Sequence, residues 1–125
     1  PSPTTVLLMA AARRDFFLTI QHGQFYQGKP VIGYDLPGFG DELCGLPYLP
    51  RLIAKARAKL VGSMGDDIIY CCENDRRFFR DHGNIHPADF LRVVWAAGDS
   101  DPKVYDYVRQ RTLGVSSAVP DYEQT

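Results

Sequence analysis

A chain of 125 residues with 45% hydrophobic content has the length of one domain and enough apolar side chains for one ordinary core. Its formal charge of -1 and pI near 6.3 leave no positive field to gather nucleic acid or an anionic membrane around it, so neither is an expected partner. The longest apolar run, VLLMAAA from Val6 to Ala12, falls far short of the roughly 20 residues of a membrane-spanning helix and is closed by Arg13, Arg14 and Asp15.

Residues 4–20, TTVLLMAAARRDFFLTI, read as a helix capped by Thr4, with Met9, Phe16 and Ile20 recurring at roughly helical spacing. Its apolar face is broad enough that a symmetric partner is expected to bury it, which makes a homodimer through this helix the expected assembly. From His22 to Gly45 the density of glycine and proline (Gly23, Gly28, Pro30, Gly33, Pro37, Gly38, Gly40, Gly45) predicts an irregular connector. Phe25, Tyr26, Tyr34 and Phe39 are expected to pin it to the core. A second helix starts at LPRL, where Pro50 suits the first turn, and runs through about Leu60 to Gly62. Leu49, Leu52, Ile53, Ala56 and Leu60 form its buried stripe.

DDIIYC then reads as a short extended approach to a helix of two or three turns, ENDRRFFRDHG, ending at Gly83. HPADFLRVVWAAG follows, with Pro87 at a helix start, Phe90, Leu91, Val94 and Trp95 on one face, and Gly98 at the end. A last helix from about Asp101 to Arg111 has Ser100 available as its cap and Val104, Tyr107 and Val108 as its apolar face, and residues 113–125 read as a loose tail. With no convincing strand ladder and no internal repeat, the expected fold is an all-α, single-domain bundle of four to five helices. Three cysteines, Cys44, Cys71 and Cys72, are too few and odd in number for a disulfide framework, and a reducing, cytoplasmic setting fits them best. No basic region precedes the first apolar run as in a signal peptide, with a trimmed leader left open.

Three segments taken together, GLPYLPRLIAKARAKLVG, YCCENDRRFF and PADFLRVV, resemble a small bacterial family catalogued as domain of unknown function 5069. Its members carry a similar LPR-x-I-x-KARA-x-L helix, a Y-x-C-P-L-D-R-R-F-like segment and a D-x-F-L helix. The likeness spans roughly residues 33–112 and places Arg51, Lys55, Tyr70, Cys72, Asp75 and Arg76 at the family's recognisable positions. It implies an all-helical domain and no established activity. Glu73 stands where the family has proline, and residues 1 to about 30 lie outside the resemblance.

That proline, as a first helical residue, would make Cys72 the cap, Glu73 the first residue of the helix and Asp75 the third, where its carboxylate can reach back to free N–H groups as in a capping box. A helix N-terminus with Arg76 nearby favours a thiolate at Cys72, and Glu73 and Asp75 oppose it. Cys72 thus reads as a packed thiol, or as a nucleophile. Cys71, Cys72, His82 and His86 match no strong zinc pattern, since Gly83 and Pro87 break the helix that would present both histidines, and no metal or other cofactor is expected. His86 reads as a helix cap or as a general base near Cys72.

Between Glu42 and Asp66 the chain has no acid, while Arg51, Lys55, Arg57 and Lys59 bring four positive charges. Repulsion along this helix calls for negative charge opposite. It can be internal, from Asp66, Asp67, Glu73 and Asp75. It can also be a small anionic ligand held by a fork from Arg51 and Arg76 with Lys55 as a point charge and Tyr48 and Tyr70 as walls. Three functional readings follow, two from this pattern and one from the N-terminal helix. The first is a cofactor-independent enzyme acting on a small anionic or polar metabolite, with Asp75, Cys72, Tyr70 or His86 moving protons or attacking. The second is a non-catalytic ligand-binding or regulatory domain, and the third is a homo-oligomeric interaction module presenting Leu7, Leu8, Phe16 and Phe17.

Overall fold

The computed structural model describes residues 1–114. Among them are five helices: α1 (Pro3–Thr19), α2 (Leu49–Val61), α3 (Glu73–Asp81), α4 (Pro87–Ala97) and α5 (Asp101–Gly114). The all-α reading therefore holds, and no helix among the described residues is long and apolar enough to cross a membrane.

The helix ends follow local chemistry. Ser2, not Thr4, caps α1: its hydroxyl accepts from Thr5 N at 3.2 Å, and Thr5 itself is buried. Pro50 stands in the first turn of α2, whose end is set by Gly62 at φ +82. A side chain at Gly62 would meet both that left-handed backbone and the Arg13 guanidinium, 2.5 Å from where a Cβ would lie. Cys72, Glu73 and Asp75 take the expected cap, first and third positions of α3, and the His86 ring caps α4 by accepting from Ala88 N at 3.0 Å. The last helix extends to Gly114, so the start of the expected tail is helical, and residues 115–125 lie outside the described part.

Leu49, Leu52, Ile53, Ala56 and Leu60 all face inward, and α4 packs across them with Phe90, Leu91 and Val94, joined by Val104 and Val108 of α5 and Phe78 and Phe79 of α3. Met9 and Ala12 of α1 enter the same core, and Phe16 meets Trp95 edge-on with ring centroids 5.4 Å apart. One stripe of α1 is thus buried by its own chain. The opposite side, with Leu7 and Leu18, is exposed.

The connector departs from expectation in three ways. Phe25 and Tyr34 are 73% and 94% exposed, and Tyr26 and Phe39 are exposed as well, so burial of aromatic rings does not anchor it in the core, although Phe25 lies against Phe17 and Phe39 against Tyr48 at the surface. Backbone anchors it instead: Val31 N donates to Ser63 O and Gly65 N to Val31 O, both at 2.7 Å, while Gly33 N reaches Asp67 Oδ2 at 2.9 Å. A small antiparallel ladder is also present, β1 (Glu42–Leu43) with β2 (Leu46–Pro47), built on the left-handed Cys44–Gly45 turn that lone propensities do not reveal. Finally, DDIIYC is not a strand. It is two turns around Ile68 and Ile69, and its backbone is bent by Cys71 at φ 72.

Candidate functional site

The acid-free stripe of α2 distributes its cations in four directions. Arg57 donates to Gly98 O and to Asp101 Oδ1, tying α2 to the start of α5. Lys59 faces α1. Arg51 Nη1 donates to Pro37 O at 3.0 Å, and its guanidinium carbon lies 4.2 Å from the centre of the Phe39 ring, a cation–π contact. Lys55 turns inward, 4% exposed, and pairs with Asp75 at 2.8 Å.

Asp75 is the centre of this arrangement and is fully buried. Its Oδ2 accepts from Lys55 Nζ at 2.8 Å, Cys71 N at 2.9 Å and Cys72 N at 3.3 Å, while Oδ1 accepts from the Tyr48 hydroxyl at 2.5 Å. A buried carboxylate is tolerable only when it is paired and hydrogen-bonded in this way. Two non-glycine residues adopt left-handed backbone to build it: Tyr48 at φ 75 before α2, and Cys71 at φ 72 before α3. Such conformations cost on the order of 1–3 kcal/mol each and persist where surrounding contacts fix them. At Cys71 the turn aims two successive N–H groups at one carboxylate oxygen, and Arg76 Nη1 secures it by donating to Cys71 O at 2.8 Å. At Tyr48 it carries the ring between Phe39 and Phe78, with centroids 5.9 and 6.0 Å away, and delivers the phenol to Asp75. Burial, then the hydrogen bond to Asp75 and the Asp75 charge, raise the Tyr48 pKa well above its usual value, so the phenol stays neutral.

In front of the ion pair lies a pocket of about 210 Å³. Phe39, Tyr48, Arg51 and Lys55 form one side; Cys72 and Asn74 from the start of α3 face them, with Asp67, Ile68 and Ile69 closing the wall. Cys72 Sγ is 3.5 Å from Lys55 Nζ. The fold brings together Tyr48, Arg51, Lys55 and Cys72, with Asp75 directly behind them. It does not bring Tyr70, Arg76 or His86 into the lining: the buried Tyr70 hydroxyl donates to Pro87 O at 2.8 Å, Arg76 secures the Cys71 turn, and His86 caps α4. The forked pair of Arg51 and Arg76 is therefore not formed in the pocket. Sequence reasoning missed Asn74 and the wall role of Phe39, and nothing in their local pattern marks them; Asp67, one of the acids expected opposite the basic stripe, does line the pocket. Of the internal acids expected opposite the basic stripe, Asp75 serves Lys55; Asp67 binds the connector, and Glu73 makes only an exposed 3.8 Å contact with Arg77.

A family model described as "Domain of unknown function (DUF5069)" matches residues 40–118, a span that holds the whole Tyr48–Lys55–Cys72–Asp75 cluster and leaves α1 outside. No curated protein and no solved structure matches the chain.

Proposed function

The chain belongs to the DUF5069 family, and we propose that its pocket binds a small anionic or polar ligand, with Arg51 as the principal anchor. The observation that carries this reading is the state of the Arg51 guanidinium. Its Nε is buried without a hydrogen-bond partner, and no carboxylate among the described residues pairs with it, although it lines a pocket whose other cation is already neutralised by Asp75. A buried donor on a charged group without an acceptor is costly, and a carboxylate or phosphate oxygen is the acceptor that matches a guanidinium best. Asn74 and the Cys72 thiol add polar contacts, and Phe39 and Ile69 add apolar ones. At about 210 Å³ the pocket suits a metabolite of a few heavy atoms, below the range of about 300–1,000 Å³ typical of drug-sized ligands.

Binding without proton transfer is favoured because the candidate acid–base groups are occupied. Asp75 accepts four hydrogen bonds, and the Tyr48 phenol is held neutral as one of the donors. The enzyme reading rests on one further observation, the Cys72 sulfur in the pocket wall beside the Lys55 ammonium, which is the arrangement of a nucleophile with a nearby cation. A thermal-shift panel of small carboxylates and phosphate esters tests the proposal. At least one member is expected to stabilise the wild type and to slow alkylation of Cys72 by iodoacetamide, and Arg51→Lys, which keeps charge but not the fork, should lose both effects. Equal stabilisation of the Arg51→Lys protein would refute the anchor role. Turnover that disappears only in Cys72→Ser would favour the enzyme reading.

A further inference from the structure

A second hollow, of about 260 Å³, adjoins the pocket over Asp75, because Phe39, Tyr48 and Asn74 line both. Beyond these three side chains the two spaces differ in chemistry. The pocket over Asp75 has Arg51, Lys55 and Cys72, whereas the hollow has Phe78 and His82, with Arg77 and Asp81 of opposite charge. Its floor is one face of α3, since Asn74, Arg77, Phe78 and Asp81 stand at i, i+3, i+4 and i+7. At about 1.5 Å per residue, His82 lies about 12 Å along the helix from Asn74, so the hollow leads away from the start of α3, where Cys72 lies. Four of the seven side chains that line it carry aromatic rings, and these form a continuous run. Phe39 stacks on Tyr48 with centroids 5.9 Å apart, Tyr48 lies 6.0 Å from Phe78, and Phe78 stacks on His82 at 4.1 Å. The His82 ring is fixed by its Nδ1, which lies 2.8 Å from Phe78 O, an atom that can only accept. Contacts within the run bury Phe78 but leave Phe39 58% exposed, so more than half of that ring is open to a further partner.

We propose that the ligand anchored by Arg51 is an aromatic anion: a carboxylate or phosphate at Arg51, joined through a short chain to a planar ring that lies in the hollow against Phe39 and His82. This rests on the reading of Arg51 as the anchor and adds to it the class of ligand. The few heavy atoms held over Asp75 are then one end of a longer molecule. Charge sets its direction, because Arg77 and Asp81 offset each other in the hollow and Arg77 also has Glu73 at 3.8 Å, whereas Arg51 has no carboxylate partner among the described residues. Aromatic pairs with centroids about 4.5–7 Å apart gain more than the burial of their area, so a wall of rings favours a planar ring over an aliphatic group of the same size.

The probe is 3-phenylpropanoate, compared with propanoate, which lacks the ring, and with 3-cyclohexylpropanoate, whose ring is saturated. Benzyl phosphate against methyl phosphate repeats the comparison for a phosphate head. Binding to the full chain is read as protection of Cys72 from iodoacetamide, located by peptide mass spectrometry, and as a rise in Tm. 3-Phenylpropanoate should bind at least about tenfold more tightly than propanoate and about fivefold more tightly than the cyclohexyl compound. Arg51→Lys should lose the protection. Phe39→Leu and His82→Leu, which keep apolar bulk without a ring, should each remove the preference for phenyl over cyclohexyl, and either serves alone if the other does not fold. Equal protection by the compounds with and without a ring, lost in Arg51→Lys, would leave the anchor standing and overturn the aromatic ligand. A cyclohexyl compound that binds as tightly as the phenyl one would overturn it too, as would a phenyl preference that survives the leucine substitutions. No protection by any probe of either series at millimolar concentration, or protection indifferent to Arg51→Lys, would overturn the anchor and this proposal together.

Discussion

Replacing Lys55 by methionine isolates the energetic centre of the fold. Methionine keeps much of the aliphatic stem within α2, so the main change is loss of the ammonium 2.8 Å from Asp75 Oδ2. Asp75 has no solvent to turn to, because it is fully buried, and its remaining partners are the Tyr48 phenol and the N–H groups of Cys71 and Cys72. Removing one partner of a buried pair typically costs about 3–5 kcal/mol, mostly the penalty of an uncompensated charge. At about 4 °C per kcal/mol for a domain of this size, the Tm should fall by about 12–20 °C. Asp75→Asn removes the opposite charge, and the double variant Lys55→Met/Asp75→Asn leaves neither. The double variant should therefore be more stable than the sum of the two single losses predicts, with a coupling of the order of 2 kcal/mol. Urea unfolding of all four proteins, compared at a common slope, measures this cycle. If Lys55→Met unfolds within about 1 kcal/mol of the wild type, or if the two losses simply add, the pair is not what holds α2 to the start of α3, and the reasoning fails.

His86 caps α4 through a ring nitrogen that accepts from Ala88 N, and burial lowers its pKa below 6.5 in spite of Asp89. The unfolded chain thus binds the proton more readily, so its contribution to stability is full above about pH 6.5 and is lost as pH falls through the lower folded value. His86→Asn, which caps without titrating there, should flatten that part of the stability profile between pH 7 and 5, and an unchanged profile would remove His86 as its source. Tyr48 works in the other direction: its raised pKa contributes stability present below about pH 10 and lost as pH rises further, with Tyr107, also raised by burial, adding to the same loss. Tyr48→Phe should diminish the alkaline loss, as followed by circular dichroism from pH 8 to 11, and a profile superimposable on the wild type's would contradict the assignment. Phe79→Ala, at a fully buried site between Tyr70 and Phe90, should cost about 3–5 kcal/mol in urea unfolding, whereas Phe25→Ala should stay within about 0.5 kcal/mol.

The residues that the sequence read correctly share a property: their neighbours lie within one or two helical turns. Leu49, Leu52, Ile53, Ala56 and Leu60 declare an inward face by spacing alone, because a helix has a fixed period and water penalises the alternative. The Cys72, Glu73, Asp75 order gives the start of α3, since capping depends on the first turn only. Even the need for negative charge opposite α2 was legible from the acid-free interval. Which acid answers it was not, for Asp75 is 20 positions from Lys55 and Asp101 is 44 from Arg57.

The site itself was decided at the tertiary level. Arg51 and Arg76 carry the same chemistry in sequence, yet one lies against Phe39 in a pocket wall and the other holds the carbonyl of Cys71. Tyr48 and Cys71 adopt left-handed backbone that no local preference favours, and they do so because a buried carboxylate rewards the phenol and the two N–H groups thus delivered to it. The exposed aromatics of the connector make the same point from the other side: hydrophobicity says that a side chain gains from burial, but only packing decides whether a place is free for it. Periodicity and capping are short-range and so are written in the chain. The partner of a charge, and the pocket beside it, depend on segments that meet only after folding.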